Sequence, residues 1–109
     1  MITVKLFKNN NDITAFEISG HANSGPYGYD LVCAGVSAVS FGAVNAIIEL
    51  CQIEPIIEQG REGGYLHVTL PIQLEKEEHV NTQLILRTMI ISLETIEREY
   101  KQFIQIKEN

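Results

Sequence analysis

The chain has no tryptophan, three prolines, two cysteines, and eight Lys or Arg against fourteen Asp or Glu in its 109 residues. Each scarcity excludes something. Two cysteines do not make a disulfide-stapled scaffold. Cys33 and Cys51 are eighteen positions apart, roughly 27 Å along one helix, whereas a bridge needs Cα atoms within about 7 Å. Both are expected as free thiols, which suits a reducing compartment. The few basic residues are scattered and the net charge is −6, so no nucleic-acid surface is expected; a basic peptide or protein partner suits the charge better. No run of about eighteen uncharged apolar residues is flanked as a membrane span would be. The nearest, Leu31 to Ile48, carries Ser37, Ser40 and Asn45 and reads as a buried helix, with no membrane association expected. Met1 runs directly into a strand pattern without a charged leader, and the expected compartment is the cytoplasm.

What is present is ordinary for one globular domain, residues 1–109: 45% apolar, 20% charged. Residues 1–7 alternate, with Ile2, Val4 and Leu6 on one face. A turn rich in asparagine follows, and residues 13–19 form a second strand with Phe16 and Ile18 on one side. From Leu31 to Cys51 the one charged residue is Glu49, and a helix apolar around its circumference is expected to be buried on most sides. A third strand begins around Ile53–Gln59, demoted by Pro55 to an edge or a start. Arg61-Glu-Gly-Gly64 is a hairpin turn, and residues 65–71 form a fourth strand with Leu66, Val68 and Leu70 to one side. A second long helix runs over 75–100, its acidic start suiting the helix dipole. Its expected core stripe is Ile85, Met89, Leu93, Ile96 and Tyr100, with Val80, Leu84 and Ile91 off it. Residues 103–106 form a last strand. The expected fold is α+β in the order ββαββαβ, a sheet packed with two long helices, one of them largely buried.

Chemistry concentrates between Gly20 and Ser37. His21 follows the second strand, and Cys33 opens the apolar helix, with Asp30 a good N-cap residue before it. Unpaired N–H groups and the positive end of a helix dipole favour a thiolate. An imidazole within reach supplies the proton acceptor and then the donor that acyl transfer needs. Gly20, Gly25 and Gly28 give the intervening loop conformations closed to other residues, and Tyr27 and Tyr29 could contact an extended peptide. Asp30 is either the helix cap or the orienter of His21. On residue type alone, a cysteine in an apolar helix is commonly a small core hydrophobe. That is the reading for Cys51, which lies at a helix C-terminus. His67 and His79 read as solvated surface residues. One Cys, one His and one Asp do not make a four-ligand metal set, and no Gly-Lys-Ser/Thr follows the glycines to make a phosphate loop; no metal or cofactor is expected.

The segment Gly20-His21-Ala22…Gly25…Gly28…Asp30-Leu31-Val32-Cys33-Ala34…Val36-Ser37 resembles the signature of the ribosomal-processing cysteine protease family Prp, and length and element order fit that family too. The resemblance implies a peptidase that removes the N-terminal extension of the large-subunit ribosomal protein L-twenty-seven. It implies His21 as general base, Cys33 as nucleophile, supporting roles for Asp30 and Ser37, a mobile loop containing Gly20, Gly25 and Gly28, and a homodimer, with Leu84 and Ile91 as candidate contacts. Two other readings stand beside it: a non-catalytic ribosome-associated binding module, and a redox sensor centred on Cys33. Cys33→Ala separates them, abolishing cleavage in the first case, sparing function in the second, and removing only peroxide sensitivity in the third.

Overall fold

A computed structural model describes residues 1–22, 25, 30–61 and 63–109. Strands β1 (Ile2–Asn9) and β2 (Asp12–Ser19) pair antiparallel across Asn10 and Asn11. Both asparagines take positive φ, 52° and 73°, the left-handed pair that a tight two-residue hairpin requires. Helix α1 (Leu31–Leu50) follows, then β3 (Ile56–Gln59), β4 (Tyr65–Thr69), helix α2 (Lys76–Glu99) and β5 (Ile104–Glu108). The element order is the expected ββαββαβ. The five strands form one sheet in the order β3-β4-β2-β1-β5. The pairings are antiparallel except β1 with β5, where Ile2 lies opposite Ile104 and Val4 opposite Ile106 in parallel.

One face of the sheet is the core. Val4, Leu6, Phe16, Ile18, Leu66, Val68 and Ile104 meet Val32, Val36, Val44 and Ile47 of α1 and Leu86, Met89 and Leu93 of α2. Each such side chain, taken fully out of water, contributes about 1.5–3 kcal/mol. The other face carries Lys5 opposite Glu17 and Glu17 opposite His67. A bulge between Phe7 and Lys8 shifts the register opposite Thr14. It brings Ile13, an odd number of residues from Phe16 and Ile18, into the same core. Ile13 is held there by Gln83 of α2. The Gln83 Oε1 accepts from the Ile13 N–H and its Nε2 donates to the Ile13 carbonyl, each at 2.8 Å.

Two expectations about the helices change. α1 with its cap is long and apolar enough to cross a membrane by length and composition, yet only 33% of that window is buried. Its buried stripe is Val32, Val36, Ser40, Ala43, Val44 and Ile47. The helices form one layer on the sheet, so the face of α1 turned away from it, with Leu31 and Leu50 over 70% exposed at its ends (75% and 78%), is uncovered in the single chain. Burial on most sides is therefore met on one side. In α2 the buried line is Thr82, Leu86, Met89 and Leu93, joined by Gln83. Ile85 and Ile96 sit beside the core and Tyr100 is the exposed C-cap. Met89 and Leu93 of the expected stripe are buried and Val80, Leu84 and Ile91 lie off it as expected, while Thr82, Gln83 and Leu86 widen the buried face beyond that stripe.

Candidate active site

β2 ends at Ser19, and the next two residues are fixed by backbone contacts. Gly20 has φ +92°, a conformation L-residues rarely adopt, and a Cβ there would collide with the Met1 carbonyl. The Gly20 N–H donates to the Gly64 carbonyl at 2.8 Å. The Met1 ammonium donates to the His21 carbonyl at 2.6 Å, and Met1 is placed in turn by Ile2, whose N–H donates to the Phe103 carbonyl at 2.8 Å. Gly20, expected as part of a mobile loop, is thus the loop's anchored end. The His21 side chain leaves this anchor at the surface.

Asp30, at φ −79° and ψ 99°, is the N-cap of α1, and its Oδ1 accepts from the Cys33 N–H at 3.0 Å. Of the two roles left open for Asp30, the cap is the one observed. The Cys33 N–H is therefore occupied by the cap. The half-buried Cys33 side chain turns toward the strand end, where its Sγ accepts from the Ala22 N–H at 3.3 Å. An N–H aimed at sulfur and the positive end of α1 both favour negative charge on that atom. The sulfur is thereby brought against Ala22, the residue that follows His21, eleven positions back along the chain.

His21 and Cys33 line one cavity of about 360 Å³ with Ser37, Phe41, Gly60 and Tyr65. Ser37 stands one turn beyond Cys33 on the same face of α1. Gly25 lies in a bend; Tyr27, Gly28 and Tyr29 lie outside the described residues. The opposite wall is the β3–β4 turn, which the sequence showed only as a hairpin, although its paired glycines mark backbone that other residues strain to adopt. Phe41 was likewise not legible as part of this cavity, nor Met1 as the partner of the His21 carbonyl. Cys51 is structural as expected, whereas His67 and His79 are half-buried and partnered rather than freely solvated. His79 pairs with Asp12 at 3.2 Å on the surface, His67 leans on the Phe7 ring with centroids 5.9 Å apart, and Cys51 caps the C-terminus of α1. Neither cysteine is in a disulfide.

Comparison with known proteins agrees with this geometry. Residues 1–105 match the family model for the cysteine protease Prp. The ribosomal processing cysteine protease Prp of Bacillus subtilis is 50% identical over 97 residues, covering 89% of this chain and 87% of that protein. The crystal structure of an essential ribosomal processing protease Prp from S. aureus, in complex with a covalently linked product peptide, matches with a TM-score of 0.91 at 44% identity over 100% of both chains. The S. aureus protease in complex with a substrate peptide matches at 0.83 and 42% identity, again over 100% of both chains.

Proposed function

The chain belongs to the cysteine protease Prp family, and from that premise we propose that it removes the N-terminal extension of the ribosomal protein L-twenty-seven precursor with Cys33 as nucleophile and His21 as general base and acid. The observation that carries the assignment of roles is the Ala22 N–H on the Cys33 Sγ, which holds the thiol beside the histidine at the mouth of one cavity. His21 takes the thiol proton as Cys33 Sγ attacks the scissile carbonyl. The tetrahedral intermediate collapses when His21 returns that proton to the leaving amine, which departs and leaves a thioester on Cys33. Water, deprotonated by His21, attacks the thioester, and its collapse releases the new carboxylate and restores the thiol. Asp30 supports the reaction by fixing the first turn of α1, and Ser37 by lining the cavity beside the sulfur. Gly25, Tyr27, Gly28 and Tyr29 are the residues assigned to substrate contact in this reading.

The acidic chain suits a basic ribosomal substrate, and the cytoplasm, where ribosomes assemble, is the compartment of this reading. The working form is a homodimer. Its support is the uncovered apolar surface of the helix layer: Leu84 and Ile91 are 64% and 63% exposed, and Leu84 borders a groove of about 380 Å³ between α1 and α2 with Val39, Ala43, Ile85 and Met89. The test is mass spectrometry of the L-twenty-seven precursor after incubation with the wild type and with Cys33→Ala. A defined N-terminal fragment produced by the wild type alone is the expected result. An intact precursor with both proteins, despite demonstrated binding, would leave a recognition module in place of the processing enzyme.

A further inference from the structure

The turn between β3 and β4 does more than connect strands. It is closed by the Gly60 N–H donating to the Tyr65 carbonyl at 3.1 Å and the Gly63 N–H donating to the Gly60 carbonyl at 3.4 Å. Gly63 and Gly64 have nearly the same backbone conformation, φ +77° and +76°, but different surroundings. A Cβ on Gly63 would meet nothing within 4 Å. A Cβ on Gly64 would lie 2.6 Å from His21 Nε2, 2.9 Å from Cε1 and 3.3 Å from Cδ2. The tip of the imidazole thus rests in the space that a side chain at position 64 would fill. The carbonyl of the same residue accepts the Gly20 N–H at 2.8 Å, so Gly64 holds both the backbone leading into His21 and the far end of its ring.

We propose that Gly64 is a positioning residue for His21: its bare Cα is the seat that sets how far the imidazole swings over the cavity, and its carbonyl fixes where that swing begins. The proposal rests on the assignment of His21 as the proton-transfer group and adds a residue 43 positions away in sequence that sets its geometry. Displacing a proton-transfer group by about 1 Å costs on the order of 10²-fold in rate, which is the scale expected when a methyl group occupies the seat.

The neighbouring glycine supplies the control. Gly63→Ala and Gly64→Ala impose the same left-handed strain on an alanine, and only the second meets the ring. Three readouts are taken on each: cleavage of a peptide spanning the precursor extension, the pH profile of Cys33 alkylation by iodoacetamide, and Tm with and without His21→Ala. Gly64→Ala is expected to lower kcat by one to two orders of magnitude with KM changed little, and to move the alkylation profile. Gly63 also lines the cavity but does not meet the ring, so Gly63→Ala is expected to keep the wild-type alkylation profile and kcat, with any change in cleavage falling on KM. The extra loss of Tm in Gly64→Ala over Gly63→Ala is expected to vanish when residue 21 is alanine. Equal kinetics and alkylation profiles for the two variants, or a Tm difference indifferent to residue 21, overturns the proposal. If the wild type cleaves no L-twenty-seven peptide, that substrate reading fails. The alkylation and Tm readouts need no substrate and still decide the contact between Gly64 and His21.

Discussion

Replacing Gln83 by Met tests how β2, the strand that delivers His21, is held to the helix layer. The side chains are similar in volume, so the change removes two buried hydrogen bonds, both 2.8 Å long, to the backbone of Ile13 and little packing. Each group of Ile13 left without a partner costs about 1–3 kcal/mol, offset in part because the amide of Gln83 no longer has to leave water. Ile13 and Gln83 also border a cavity of about 390 Å³ with Asp12, Leu70 and His79, so water reaches the orphaned groups and the sum falls at the low end, about 2 kcal/mol. At roughly 4–5 °C per kcal/mol for a domain of this size, Tm drops by about 8–10 °C. Urea unfolding monitored by circular dichroism measures this as a fall in midpoint at unchanged slope. Cleavage assayed well below Tm stays within about twofold of the wild type, since Gln83 lies at the other end of β2 from His21. A loss under about 0.5 kcal/mol would refute the reasoning, because it would mean the ladder and solvent already satisfy Ile13 without Gln83.

Three further outcomes follow from the geometry. His21→Ala and Cys33→Ala each reduce cleavage by at least about 10³-fold, while His21→Ala leaves Cys33 modifiable by iodoacetamide; peptide turnover and intact-mass measurement check the pair. Asp30→Ala removes the acceptor of the Cys33 N–H and costs about 1 kcal/mol of stability, most of which Asp30→Ser restores, as thermal melts of the two variants will show. Leu84→Glu combined with Ile91→Glu places two carboxylates on the uncovered helix face and yields a folded monomer in light scattering; a dimer that persists removes that face from the interface.

The strands were legible in this sequence because alternation survives wherever one face is buried, as in Ile2, Val4 and Leu6. The start of α1 was legible because Asp30 is a strong capping residue beside an apolar run. The bulge at Thr14 was not, since nothing in the local pattern announces that Ile13 has changed phase. The burial of Gln83 on α2 was missed for a related reason: its partner lies 70 residues away, and a polar residue with such a partner looks like a surface residue in sequence. Hydropathy likewise described α1 as wholly apolar without saying what covers each side. At the site, His21 and Cys33 could be named from residue chemistry and the family signature. Met1 and Gly64 could not, because Met1 acts on His21 through its main-chain nitrogen and Gly64 through its carbonyl and the absence of a side chain, and no local pattern ties either to position 21.

The parallel pairing of β1 with β5 sets the order in which this site can be assembled. Met1, whose nitrogen holds the His21 carbonyl, leads directly into β1. That segment is held by Phe103 and faces Ile104, more than a hundred residues later. While the chain is being synthesised, the hairpin of β1 and β2 can pair as soon as residue 19 is available, but its outer edge waits for β5. Long-range pairing of this kind is slow relative to local structure. Full support of the histidine therefore requires β5 to be in place, and a chain cut before Phe103 carries the cysteine without that support.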